Sequence, residues 1–330
     1  MLSDAPSRAR PGPPIRRERR PAYRPFRAVV SAVRPLSPHF TRVTFRGPEL
    51  HLFGTDRLDQ RVKIVFPGPS GALSDLGADD PAAIDAGAWH ARWRALPAEG
   101  RSPFRTYTVR DVRPADAEVD VDFVTHPPAA DGSLGPAGRW IASAEPGREV
   151  ILVGPDARSL DSHIGIDWHP GTATRLLLAG DETAVPAICA ILESLPDDRE
   201  VHADVEVPTV ADALPVPAAF RSAVRWVPRD GAEHGERLVA AFRAAVTELA
   251  GRLDGALAPA AQELEDVDVD TQLLWDSPGD ADGGSWYAWI AGEAAAVKAL
   301  RRHLVSEVGF DRRNVAFMGY WRRGRAEAQE

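Results

Sequence analysis

The chain has 330 residues, more than one ordinary domain needs and enough for two. With 44% hydrophobic and 26% charged residues it can bury a core along most of its length, which excludes a chain disordered throughout. The formal net charge of −9 argues against a nucleic-acid binder driven by bulk electrostatics. The single cysteine, Cys189, excludes an internal disulfide and an iron–sulfur cluster.

In chain order, residues 1–22 are rich in Pro and Arg and read as a disordered basic tail. Residues 23–157 have a β texture. Apolar and polar residues alternate over 26–33, 40–45, 61–66, 118–124 and 148–153, with turns such as Gly47-Pro48 and Pro146-Gly147 between them. Five or six such strands predict a small antiparallel barrel, interrupted over 70–100 by an insertion with a short helix near 86–95. Residues 158–173 read as a linker. Beyond it the texture changes to strand and helix in alternation. Continuous apolar strands at 174–179 and 286–291, further strands at 200–207, 222–227 and 315–321, and helices at 184–195, 238–249 and 294–308 predict a parallel α/β sheet. Residues 255–285 are acidic and Gly-rich and read as a loop or partly ordered insert. No apolar run approaches the roughly 20 residues that span a bilayer, and the N-terminus lacks the apolar core of a secretory signal, so a cytoplasmic protein is expected.

Four short stretches offer chemistry. Arg105-Thr106-Tyr107-Thr108 lies on a strand, and Arg105, Tyr107 and Thr108 are expected to turn a cation, a ring and a hydroxyl to one ligand. The alternative is an ordinary exposed strand face, because these residue types suit edge strands. Gly135-Pro-Ala137-Gly138-Arg139-Trp140 is a glycine turn running into a helix, which is a ready anion site; the alternative is a plain turn with Arg139 solvated and Trp140 in the core. Together they suggest a pocket for a flat ring joined to a diphosphate. His126, at the end of the preceding strand, either faces a ribose or that diphosphate, or caps the strand. In the second half, Gly180-Asp181-Glu182-Thr183-Ala184 and Gly292-Glu293 each follow a strand and open a helix. In an open α/β sheet that position binds ligands, and a nicotinamide would fit; simple helix capping by the acids is the other reading. His163 and His169 lack metal-ligand spacing, and no metal site is expected.

These motifs carry a resemblance. Arg105-x-Tyr-Thr-x-Arg110, Asp122-Phe-Val-x-His126, Gly135-Pro-Ala-x-Arg-Trp140, Ala179-Gly-Asp-Glu-Thr-Ala-x-Pro-Ala187, Trp289-x-Ala-Gly-Glu293 and Gly319-Tyr-Trp-Arg-x-Gly324 occur in order. Over residues 24–325 the chain resembles the siderophore-interacting proteins, ferric-siderophore reductases of the ferredoxin–NADP reductase superfamily. The resemblance implies an FAD-binding antiparallel barrel followed by an α/β domain for NADH or NADPH. It implies electron transfer through the flavin to ferric iron held by a siderophore. By that pattern Arg105, Thr106, Tyr107, Thr108 and His126, with Gly135, Ala137, Gly138, Arg139 and Trp140, hold FAD. Gly180 to Ala184, Gly292 and Glu293 hold the nicotinamide donor, and Tyr320 and Trp321 cover the flavin. The family commonly has Ser where this chain has Gly138. Of 39 basic residues only Lys63 and Lys298 are lysines; Lys63 matches the family's siderophore-receiving segment and Lys298 is a second candidate. A ferredoxin-fed reductase on the same fold and a non-catalytic siderophore binder are the alternatives. A monomer is the default expectation. The choice between NADH and NADPH stays open: after Val207 no Arg or Lys occurs until Arg221, although Arg225 and Arg229 could meet a 2′-phosphate.

Overall fold

The computed structural model describes residues 15–126, 132, 134–265, 267–269, 272–279 and 284–324. It divides into two compact units. Among the described residues, one comprises the chain up to Leu36 with Phe40–Ile166, the other Ser37–His39 with the chain from Asp167 on.

In the first unit the alternating segments become β1 (Tyr23–Pro35), β2 (Phe40–Arg46), β3 (Arg61–Val65), β4 (Phe104–Thr108), β5 (Asp111–Arg113), β6 (Glu118–Val124) and β7 (Glu149–Pro155). They form one antiparallel sheet in the order β4-β3-β7-β1-β2-β6-β5. The period of two turns Phe26, Ala28, Val30, Val43, Phe45, Val62, Ile64, Val121 and Phe123 into one core. A flat sheet of this order would keep β4 far from β6. The rings of Tyr107 on β4 and Phe123 on β6 nevertheless lie 4.5 Å apart, so the sheet curls into an open half-barrel around that core.

The insertion holds two helices rather than one: α1 (Pro81–Asp85), capped by the Asp80 carboxylate, and α2 (Trp89–Ala95). Gly87, at φ +63°, separates them. Trp93 fixes α2, buried against Phe104 with its indole N–H donating to the Ser102 carbonyl. A third helix, α3 (Pro136–Ile141), follows the glycine turn.

Residues 1–14 of the sequence-assigned tail lie outside the described residues. Residues 18–22 are not loose. Glu18 bridges to Ser159 and donates its amide to the Arg158 carbonyl, and Arg20 pairs with Glu18, Asp85 and the buried Asp156. Composition missed this because the basic residues there meet acids distant in sequence.

The second unit contains β8 (Arg175–Gly180), α4 (Val185–Ser194), β9 (Glu200–Val207), β10 (Val224–Pro228), α5 (Glu236–Leu249), β11 (Trp275–Asp276), β12 (Trp286–Glu293), α6 (Ala294–Arg301) and β13 (Val315–Trp321). The chain continues from α6 in wider π-type turns over Arg302–Glu307, where the sequence suggests one uninterrupted helix. Strand order is β10-β9-β8-β12-β13-β11. The sheet is mixed rather than wholly parallel, because the insert supplies β11, antiparallel to β13 at the edge. Leu177, Ala179, Ala288, Ile290, Val315 and Phe317 face α5 and α6 across one core with Leu238, Phe242, Val297 and Leu300. Every residue of α4 from Val185 to Leu192 is buried. The sequence-assigned linker is divided between the units at Ile166. Its second part is pinned by Tyr287, whose hydroxyl donates to the Asp167 carbonyl and accepts from the His169 amide.

Candidate functional site

In the first unit, register decides which side chains can meet one ligand. On β4, Arg105 stands opposite Ile64 and Tyr107 opposite Val62, while Thr106 stands opposite Lys63 and Thr108 opposite Arg61. Arg105 and Tyr107 therefore share the face of the sheet that carries the Val62 and Ile64 core side chains. Thr106, Thr108 and Lys63 share the reverse face. The expectation that Arg105, Tyr107 and Thr108 line one face is corrected by strand geometry, since side chains two apart share a face and Thr108 is three from Arg105. Lys63 donates to the Thr106 hydroxyl at 3.2 Å and sits 4.9 Å over the Phe104 ring.

The half-buried ring of Tyr107 leans on Phe123, which stacks on Trp140 at 5.6 Å, and Trp140 stacks in turn on Phe45. Trp140 thus anchors α3 to the barrel core. Its indole N–H is buried and finds no hydrogen-bond partner among the described residues. Gly135 occupies the N-cap of α3 and supplies no side-chain cap, with Pro136 following. A Cβ at Gly135 would meet nothing within 4 Å. The first-turn amides of Ala137 and Gly138 receive no side-chain cap from Gly135. Arg139 is exposed and donates to the Leu134 carbonyl, and half-buried Arg105 donates to the Phe104 carbonyl at 2.7 Å. His126 is exposed two residues past the end of β6.

In the second unit, sequence direction reverses between β8 and β12, and the two glycine turns stand at the carboxyl ends of those two strands. Asp181, completely buried, ties them together. Its carboxylate accepts from the Thr183 amide and hydroxyl, from the Glu293 amide at 2.7 Å and from the Trp321 indole at 2.8 Å. Burial first, and then the neighbouring Glu182, push its pKa up to about 7. Glu182 is also buried. Burial pushes its pKa up, but a two-pronged pair with Arg229 at 2.8 and 2.9 Å holds it below its ordinary value. Glu293 caps α6 through the Ala295 and Ala296 amides. The acids of both turns are bonded within the protein, Asp181 and Glu293 as turn and helix caps and Glu182 in its pair with Arg229. Tyr320 stacks on Trp275, and Trp321 meets His234 edge-on at 4.9 Å. Lys298 is half-buried on α6.

Residues 29–159 match the family model described as a siderophore-interacting FAD-binding domain, and residues 173–324 match that of the siderophore-interacting proteins. An uncharacterised protein of Mycobacterium tuberculosis is 35% identical over 310 residues, covering 93% of both chains. The chain belongs to the siderophore-interacting protein family. The ferric vibriobactin reductase ViuB of Vibrio cholerae is 28% identical over 88% of this chain and 87% of its own. A siderophore utilization protein from T. fusca superposes with a TM-score of 0.65 at 27% identity, over 94% of this chain and 97% of its own. The ferredoxin reductase of carbazole 1,9a-dioxygenase shares the fold alone, with a TM-score of 0.52 at 15% identity over 91% of this chain and 70% of its own.

The residues of this siderophore-interacting protein fit an FAD. Uncapped amides at Ala137 and Gly138, room at Gly135 and two guanidiniums suit a diphosphate, and the Tyr107 ring suits a flat heterocycle. Sequence reasoning missed the partners that organise the second unit. Glu206 is fully buried, accepts from the Gly235 and Leu238 amides and from Arg229, and so belongs with Glu182 and His234. No local spacing signals this, because Glu182 and Arg229 are 47 residues apart.

Proposed function

We propose that the protein is an FAD-dependent reductase that passes electrons from a nicotinamide donor to ferric iron held in a siderophore. The observation that carries this reading is the first-unit arrangement: Arg105 and Tyr107 on one face of β4, with the uncapped glycine turn of α3 held to the same core through Trp140.

In this reading, Arg105, Arg139 and the Ala137 and Gly138 amides hold the diphosphate, and His126 lies beside them. The Tyr107 ring, backed by Phe123 and Trp140, fixes the plane of the heterocycle. The bound flavin accepts a pair of electrons and passes them on singly, which matches a hydride donor to a one-electron metal. Ferric iron prefers hard oxygen ligands more strongly than ferrous iron does, so a single electron loosens the chelate's hold. Lys63 is a candidate for receiving the anionic chelate, from the sheet face opposite Tyr107, and Lys298 is a second. In the second unit, the crowded turns at Gly180 and Gly292 bring backbone to the carboxyl ends of β8 and β12, where a nicotinamide would lie. Tyr320 and Trp321 then serve as aromatic cover. The reading places the protein in the cytoplasm, where a reduced nicotinamide is at hand; among the described residues no helix is long and apolar enough to cross a membrane.

The test is a spectrum followed by turnover. Purified protein should carry a flavin absorbance that bleaches anaerobically with NADH or NADPH and returns on adding a ferric siderophore. A colourless protein that takes up no FAD sinks the reading. A yellow protein that only a reduced ferredoxin bleaches leaves the flavin and removes the nicotinamide.

A further inference from the structure

The reading above leaves open which nicotinamide donates. A dinucleotide bound at the β8/β12 reversal has sheet on both sides, and on the β8 side its adenosine half would lie over the carboxyl ends of β8, β9 and β10. NADPH differs from NADH there by one 2′-phosphate, a group near −2 at neutral pH that needs a cation.

The arginines on and just past β10 are already engaged among the described residues. Arg229, just past β10, is largely buried, forks onto Glu182 and bonds Glu206 at 3.2 Å. Arg237 donates to the Pro228 carbonyl and lies 3.5 Å from Asp230. Arg225 is turned to Asp204 and to the Ala241 carbonyl on α5. His234 lies 3.7 Å from Glu182. Withdrawing Arg229 would strand two fully buried carboxylates, a far larger cost than breaking a surface pair. Beyond β9, Asp212 adds another buried carboxylate. Bonds from Ser37, His39 and Thr209 outweigh the effect of its burial and hold it below its ordinary pKa. A 2′-phosphate would approach Glu182, Glu206 and Asp212 without a cation to receive it.

We propose that Glu182 and Glu206, by claiming Arg229 between them, make this protein select NADH over NADPH. The inference rests on the nicotinamide reading above and deepens it.

Calorimetric titration of the full chain with 5′-AMP and with adenosine 2′,5′-bisphosphate, which differ only by the 2′-phosphate, reads the discrimination directly, without turnover. The bisphosphate should bind at least tenfold more weakly. In stopped flow, NADH should reduce the FAD-loaded protein at least tenfold faster than NADPH at equal subsaturating concentration. Two variants should narrow the gap to threefold or less. Glu182→Gln loosens Arg229. Val210→Arg places a new cation at a 70% exposed position three residues past β9, and it leaves the buried pair intact should Glu182→Gln fail to fold. A bisphosphate that binds as tightly as 5′-AMP, or an NADPH rate equal to that of NADH, overturns the inference and leaves the nicotinamide reading standing. If neither nucleotide binds and neither dinucleotide reduces a flavin that is present, both fall together.

Discussion

Asp181 concentrates the tension of the second unit in one carboxyl group. Four donors converge on it, which favours the ionised form, while complete burial and the adjacent Glu182 favour the neutral form. The neutral form loses little, because the Thr183 hydroxyl can reverse and accept the proton that the acid then donates. With a folded pKa near 7 against an ordinary value of about 3.9, the folded protein binds the proton more tightly than the unfolded chain does. Stability contributed by this group is therefore present at low pH and lost as pH rises from about 4 through about 7. Wild type measured against Asp181→Asn should lose ground over that interval, on the order of a few kcal/mol in total, and hold level above it. Urea denaturation of both proteins at pH 5, 6, 7 and 8 checks this; a difference that grows with pH contradicts it. Gly292 belongs to the same knot. It sits at φ +147°, and a Cβ there would stand 2.7 Å from the Asp181 carboxylate. Gly292→Ala should cost roughly 2 kcal/mol or more, since both the backbone and the carboxylate must move. An unchanged urea midpoint would show that the turn relaxes freely.

At the scale of elements, α3 shows what a sequence can and cannot disclose. Its glycine turn, its proline at the first position and the helix after them are legible in Gly135-Pro-Ala-Gly-Arg-Trp140. The use of Trp140 is not legible, since an indole after Arg139 could equally face a ligand. The structure puts it between Phe45 and Phe123, 4% exposed. Trp140→Ala should destabilise the first unit by about 3–5 kcal/mol and lower FAD retention with it, because the helix would lose its hold on the barrel. Arg139→Ala, on the exposed face, should lower FAD retention with stability nearly unchanged. Flavin-to-protein absorbance ratios beside thermal midpoints separate the two effects; equal loss of stability in both variants would refute the distinction. On β4 the strand and the parity of its faces were both legible, and grouping Thr108 with Arg105 and Tyr107 by chemistry misapplied the period of two; the face that Lys63 shares needed the β3 register. Parity overrides chemistry, and it separates Thr108 and Lys63 from Tyr107. The pairs of Arg229 with Glu182 and Glu206 lay beyond reach for another reason. They join the turn after β8, the end of β9 and the chain past β10, so they exist only once the strand order is known.

At the scale of the whole molecule, two sizeable cores among the described residues share no residue, and each is assembled within one unit. Each unit therefore positions its own candidate ligand residues with its own apolar burial, and a ligand's effect should be traceable to one of them. With more than one core in 330 residues, a single two-state transition is not assured, so a melting midpoint alone assigns nothing to a unit. Hydrogen exchange does. FAD that binds the folded protein at about 100 times its dissociation constant should add about 2.7 kcal/mol to the opening of the structure that holds it. Protein stripped of flavin and then reloaded should gain protection at the Ala137 and Gly138 amides and along β4. These amides sit where the uncapped turn and the Arg105–Tyr107 face lie. The amides of α5, which bury Leu238, Phe242 and Val246 in the other core, should exchange as before. Protection that rises in α5 while α3 stays unchanged would remove the diphosphate from the glycine turn, and with it the assignment of Arg105 and Arg139.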